Sequence, residues 1–137
     1  MLSAVDIDWI AVVIAIVISM AVGSILYAPP VMGRWWMRQV GIDPSRQDTA
    51  AATRALGIAI ALSVVMAIAF AVIFGWTGAS GVGEGAMVGA LAGIAFGVPI
   101  GVVHPTFEGR ALGVGLLYGA HHVVEYVLIG IVFGWRA

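Results

Sequence analysis

The chain has 137 residues, 62% of them hydrophobic and 9% charged, with six arginines, seven acidic residues, no lysine and no cysteine. Its mean hydropathy of +1.10 and scarce charge exclude an ordinary soluble domain, in which about 25% of residues are charged. A net charge of −1 without a basic cluster leaves no nucleic-acid footprint, and the lack of cysteine excludes disulfides and thiolate metal sites.

Residues 9–33, 55–83 and 85–107 carry no formal charge, and 111–135 carries only Glu125. Roughly 20 apolar residues span a hydrocarbon core, so the expectation is an all-α, polytopic membrane protein with four transmembrane helices, a single membrane domain over 1–137. The first span, 9–28, follows Asp6 and Asp8 without a basic residue. Its apolar run is too long for a signal peptide, so it reads as retained, ending at Pro29 and Pro30 because proline lacks the backbone donor a helix needs. Residues 31–54 form an interfacial segment and linker. Arg34, Trp35, Trp36 and Arg38 suit the membrane interface, where amphipathic rings and cations meet headgroups, and Asp48 or Thr49 is a candidate N-cap. The second span is 55–74, a glycine-rich turn follows, and the third span is 85–107. The turn Glu108-Gly109-Arg110 leads to the fourth span, 111–134.

Arg34, Arg38, Arg46, Arg54 and Arg110 fall on one side of this layout and Arg136 on the other. The positive-inside rule then places both termini outside a bacterial inner membrane. Trp9, Trp76 and Trp135 mark the outer ends and Trp35 and Trp36 the inner end, in agreement.

Two marker sequences recur. Pro29 to Arg34 and Pro105 to Arg110 both fit P-x-x-x-G-R, and Phe74-Gly75-Trp76 and Phe133-Gly134-Trp135 close the spans that follow. With two spans per copy, the implied repeat is parallel, two plus two, about an axis along the membrane normal; chance recurrence of residues common at membrane ends is the alternative. Superposing the F-G-W markers sets Leu62, Ser63 and Met66 opposite His121, His122 and Glu125, so ionisable groups occupy one half only.

The third span carries Gly85, Gly89, Gly93, Gly97 and Gly101, an unbroken ladder at spacing four. Such small-xxx-small edges let helix backbones approach in lipid. The partner is either the fourth span, through Gly115 and Gly119, or a second subunit, which would make the protein a homo-oligomer. Pro99 frees the carbonyl of Ala95 and predicts a kink.

In the fourth span, Tyr118, His121, His122 and Glu125 lie three and four residues apart on one face. Glu125 is the one charged residue deep in any span, and its ionised form costs about 2.5 kcal/mol or more at a helix centre. It therefore belongs in the bundle interior or a wet cavity, either protonated or ionised beside a protonated histidine. Ser19 and Ser63 sit at similar depth and complete a polar core. His104 falls nearer the inner end, closer to Tyr27 than to Glu125. The spacing H-H-x-x-E lacks the H-E-x-x-H pattern of zincins, and no metal or cofactor site is expected.

Tyr27-Ala28-Pro29-Pro30-Val31-Met32-Gly33-Arg34-Trp35-Trp36 resembles the Y-x-P-x-x-x-G-x-x-W signature of a bacterial integral-membrane family catalogued as a domain of unknown function. Phe107-Glu108-Gly109-Arg110 and the histidines of the fourth span are similar to that family too. Members often carry Trp before the Tyr, where Leu26 stands here. The resemblance implies a four-span fold and no established activity.

The residues favour proton-coupled movement of a small solute or ion through a helix bundle, with Glu125, His121, His122, Tyr118, Ser19, Ser63, His104 and Tyr27 as candidate proton- or substrate-binding groups. A structural or assembly protein with a hydrogen-bonded polar core is the alternative. A metal-dependent membrane enzyme is the third reading.

Overall fold

A computed structural model describes residues 5–46 and 48–137. Helix α1 (Trp9–Leu26) is followed by a π-helical turn (Pro29–Gly33), α2 (Arg34–Val40), a short 3-10 turn (Pro44–Arg46) and α3 (Thr49–Thr77). Then come α4 (Val82–Ala92), a second π-helical turn (Gly93–Gly97), α5 (Val98–Phe107) and α6 (Leu112–Arg136). Helices α1, α3, the continuous run Val82–Phe107 and α6 are the four long and apolar enough to cross a membrane.

Local chemistry sets the boundaries. The Asp8 carboxylate accepts from the backbone N–H groups of Ile10 and Ala11, each at 3.0 Å, and starts α1. Ala28, ahead of Pro29, is extended at φ −62°, ψ 141°, as a residue before proline should be, so α1 stops two residues short of the expected 28. Asp48 accepts from the Ala50 N–H at 2.9 Å. Helix α3 therefore begins at Thr49, at the cap expected from the sequence and ahead of the charge-free span expected from 55, because the alanines after the cap propagate helix through Arg54. The kink expected at Pro99 takes the form of the π-turn just before it. Proline offers no N–H to the preceding turn, and Val98 N–H reaches back five residues to the Gly93 carbonyl.

Helix α6 is the hub. On one edge it receives the glycine ladder, which packs against it within the chain. A methyl group at Gly85 would collide with the Gly130 backbone, at Gly89 with Tyr126, at Gly93 with Val123, at Gly97 with His122 and at Gly101 with Gly119. From the α6 side, Gly115 and Gly119 meet Val102 and Val98, while Gly130 and Gly134 meet Gly85. The Gly81 N–H donates to the Gly134 carbonyl at 2.6 Å, which seats the start of α4 on the end of α6. The α4–α5 run packs along α6 with at most slight contact to α1 and α3.

The opposite side of α6 holds α1 and α3 through a second seam of small residues. Ala11, Ala15 and Ser19 of α1 and Ser63, Ala67 and Ala71 of α3, each set four apart, are all buried. The Ser19–Ser63 hydroxyl contact at 2.9 Å fixes their antiparallel register. Phe70, Phe74, Ile129 and Phe133 fill the space beside this seam. Beyond Ser63, towards the arginine-rich end, residues 52–62 of α3 are exposed on every side, so α3 leaves the bundle there.

The two halves are not equivalent in detail. Phe74 and Phe133, matched by the F-G-W markers, stack with centroids 5.4 Å apart and planes at 22°. The P-x-x-x-G-R corners differ, however. Gly33 is right-handed at φ −61° and lies where a side chain would strike the Tyr27 carbonyl, whereas Gly109 is left-handed at φ +72°. In addition α1 packs on α6, but α4–α5 makes no comparable contact with α3.

At the end carrying the termini, Arg136 Nε donates to Asp8 Oδ2 at 2.6 Å. This hydrogen bond is the main cause that holds the Asp8 carboxyl below its ordinary value of 3.8, with the Ala11 N–H adding to it. Because the folded value lies below the unfolded one, the stabilisation is complete at neutral pH and fades as the pH falls below that ordinary value. Asp8→Asn keeps the helix cap and removes the ion pair. Its melting temperature in detergent is expected to lie slightly below wild type at pH 7, by the equivalent of about 1 kcal/mol or less for so exposed a pair, and the gap should close in acid. A gap that widens in acid would contradict the pairing.

The ladder makes a sharper comparison. Gly89→Ala forces α4 off the α6 backbone and should cost about 1–3 kcal/mol or more. Gly83→Ala, on the same helix with open space around it, should be neutral or stabilising by about 0.5–1 kcal/mol. Thermal unfolding of the two variants in one detergent reads the difference directly.

Candidate functional site

The second seam ends where chemistry begins. Glu125 projects from the middle of α6 towards α1 and α3 and is 4% exposed. Its Oε1 is hydrogen-bonded to the Ser19 hydroxyl, and Ser19 in turn contacts Ser63 at 2.9 Å. The Ser63 hydroxyl also donates to the Ala59 carbonyl at 2.8 Å. Oε2 lies 3.3 Å from His122 Nδ1 and 3.8 Å from His121 Nε2. The first is a hydrogen bond whose donor is set by the His122 tautomer and the carboxyl proton; the second is too long for one, and His121 Nε2 is buried without a hydrogen-bond partner. On its other side His121 Nδ1 meets the Tyr27 hydroxyl at 3.3 Å.

Counting hydrogens in this chain ties it to the state of the carboxyl. Each serine hydroxyl has one proton to give. If Ser63 donates to the Ala59 carbonyl, Ser19 must donate to Ser63, and the Ser19–Glu125 bond then requires a proton on the carboxyl. If Glu125 is ionised, Ser19 donates to it and Ser63 turns from the Ala59 carbonyl to donate to Ser19. Two hydroxyl rotations thus accompany gain or loss of one proton, with no backbone change.

Around this apex the splayed half of α3 stands off α1 and α6 and leaves a cleft of about 1360 Å³. Ser19, Ser63, His121, His122 and Glu125 line its closed end, and Asp43, Arg46 and Asp48 line it near the arginine-rich end. Its walls are largely apolar, with Met20, Leu56, Leu62 and Met66 among them. Tyr27 and Trp36 form one side, with centroids 5.2 Å apart and planes tilted by 58°. The Trp36 Nε1–H donates to the Tyr118 hydroxyl at 2.9 Å, so Tyr118 stands behind the wall and braces it.

The expected site residues are therefore divided. Glu125, Ser19, Ser63, His121, His122 and Tyr27 come together, and Tyr27 lies against His121 rather than beside His104. His104 is exposed and lines a second cavity of about 330 Å³ with Glu108, Arg110, Tyr118 and His122, so His122 is shared between the two spaces. Among the described residues no three His, Asp or Glu side chains are arranged to hold a metal ion. Of the four residues assigned to the membrane interface, Arg34 and Arg38 are exposed. Trp35 instead covers Gly113 and Trp36 turns into the cleft. The stripe Ala51, Ala55, Ala59 on the cleft wall was not singled out from the sequence, although its four-residue spacing continues from Ser63, Ala67 and Ala71.

These features define a membrane protein with four apolar spanning helices and a buried carboxyl at the inner end of a cleft between them. The chain belongs to the family described as "Protein of unknown function (DUF1761)", whose model matches residues 10–134, in line with the resemblance seen in the sequence. No curated protein and no solved structure matches it.

The hydrogen-bond chain makes an ordering testable by thermal unfolding. Ser19→Ala leaves a buried carboxyl oxygen without its partner, a loss of about 1–3 kcal/mol. Ser63→Ala removes a neutral hydroxyl whose neighbours are both otherwise bonded, and should cost about 1 kcal/mol or less. Equal effects, or the reverse order, would mean that Ser19 does not carry the carboxyl.

Proposed function

We propose that the protein couples proton binding at Glu125 to movement of a small solute across a bacterial cytoplasmic membrane, with the arginine-rich end facing the cytoplasm. The observation that carries this reading is the position of the carboxyl, at mid-span and at the closed end of a cleft open towards one end of the bundle. An intramembrane ionisable residue is costly and is normally tied to a proton or solute path. A group that served packing alone would have no need of a cleft of this size in front of it.

The orientation rests on the bias of five arginines to one end. The glycine ladder is taken up by α6 within the chain, so any homo-oligomer would use another surface. The lipid-facing side of α3 and the outer side of α4–α5 are the faces left for it.

Glu125→Gln keeps the shape and a hydrogen-bonding capacity while removing the titratable proton. In sealed vesicles under an imposed pH gradient, wild-type protein should move protons, read by an internal pH dye, and Glu125→Gln should reduce the rate to that of empty vesicles while melting close to wild type. Unchanged proton movement in the variant would remove Glu125 from the path. No movement by either protein would favour the alternative in which the polar cluster fixes helix packing.

A further inference from the structure

We infer that the cleft takes an amphiphilic organic monocation, which replaces the proton of Glu125; this deepens the reading of Glu125 as the coupling group and rests on it. The charges facing the cleft are few and all can be named. Helices α1 and α3 contribute no charged side chain between Ser19 and Tyr27 or between Ala55 and Met66. Helix α6 contributes Glu125 with His121 and His122 beside it, and the far end holds Asp43, Arg46 and Asp48. Arg46 lies 3.7 Å from Asp43, and Asp48 caps the start of α3. Among the described residues no arginine lines the closed end to attract an anion.

The walls suit a large, weakly hydrated cation. Tyr27, Trp36 and Tyr126 line the cleft and offer ring faces that attract cations, more strongly once water is excluded. The small residues Ala51, Ala55 and Ala59 widen the α3 side, and the volume of about 1360 Å³ exceeds the roughly 300–1,000 Å³ of pockets that enclose drug-sized molecules. The exposed half of α3 gives the cleft an apolar border on the lipid side, which an amphiphile could cross and an inorganic ion could not.

Charge balance selects a single positive charge. On binding, the O–H bond of the Glu125 carboxyl breaks, the proton leaves to solvent through the cleft, and the cation stands against the resulting carboxylate. The cleft then holds no net added charge before or after, which avoids an isolated ion in a low-dielectric space. A neutral solute would not displace the proton, and an anion would only hold it more firmly, so neither exchanges with it.

Tetraphenylphosphonium and tetraphenylborate have nearly the same shape and opposite charge, so titrating both into the detergent-solubilised protein isolates the sign. Phosphonium should bind with release of close to one proton, and its affinity should fall with acid, approaching tenfold per pH unit where the carboxyl is protonated. Tetraphenylborate should bind at least tenfold more weakly. Glu125→Gln should abolish phosphonium binding and proton release. Ala55→Trp, which keeps the carboxyl but fills the wall, should weaken phosphonium binding at least tenfold and serves if Glu125→Gln does not fold. Equal binding of the two probes, or phosphonium binding that survives Glu125→Gln, would overturn the inference and indicate an apolar groove that accepts lipid-like molecules of either sign. Absence of phosphonium binding in a protein whose Glu125-dependent proton movement persists would overturn the cation class alone. Absence of both would take the coupling reading with it.

Discussion

A carboxyl group at the centre of an apolar helix has to be solvated by the protein, and that requirement organises this bundle. Water is scarce at that depth and an unsatisfied polar group costs several kcal/mol. The partners available are the Ser19 hydroxyl on α1, itself in contact with Ser63 on α3, and the His122 ring on α6. These contacts place three helices in register at one level. Moving α1 by a turn would set Ala15 or Gly23 in place of Ser19 opposite Glu125 Oε1.

Helix α6 meets the demand because its two sides do different work. The glycine edge brings α4–α5 into backbone contact and consumes that surface entirely. The polar edge, with Glu125, His121 and Tyr118, is thereby turned towards α1, α2 and α3. The π-turn at Gly93–Gly97 belongs to the same arrangement, since it absorbs the missing donor of Pro99 at the level where Gly97 passes the His122 Cβ. A straight run with larger residues would press on the histidine that holds the carboxyl.

Much of this was legible in the sequence, for physical reasons. Three charge-free runs and a fourth broken only by Glu125 reveal four spans because a bilayer penalises charge residue by residue, and Glu125 reveals itself by the same rule. The glycine ladder announced a close helix contact, and the structure supplies its partner. What sequence could not give was the direction of each interfacial side chain. Arg34, Trp35, Trp36 and Arg38 read as one amphipathic patch, but Gly113 makes a seat for Trp35 and Tyr118 accepts a bond from Trp36, and both partners are some 80 residues away along the chain. Tyr27 was separated from Glu125 for a similar reason: depth along a helix is readable from residue number, whereas the reach of His121 between the two depends on how α1 and α6 cross. The cap at Asp48 is readable, but the span reads from 55 because the charge-free run opens only after Arg54, and charge marks the membrane rather than the helix.

The cleft itself follows from a seam that stops half-way. On α3 small residues recur every four positions from Ala71 through Ala67 and Ser63 to Ala59, Ala55 and Ala51, while α1 offers Ala11, Ala15, Ser19 and Gly23. The first part of this pairing is closed and buried. The second part is open, although Gly23 and Ala59 have the same capacity for close approach. What differs beyond the apex is Tyr27, which with Trp36 occupies the α1 side and has no small counterpart. The surfaces that would zip together and the surfaces that line the cleft are therefore the same. A closed seam and an occupied cleft exclude one another, and Ser63, linked to Glu125 through Ser19, stands at the point where one gives way to the other.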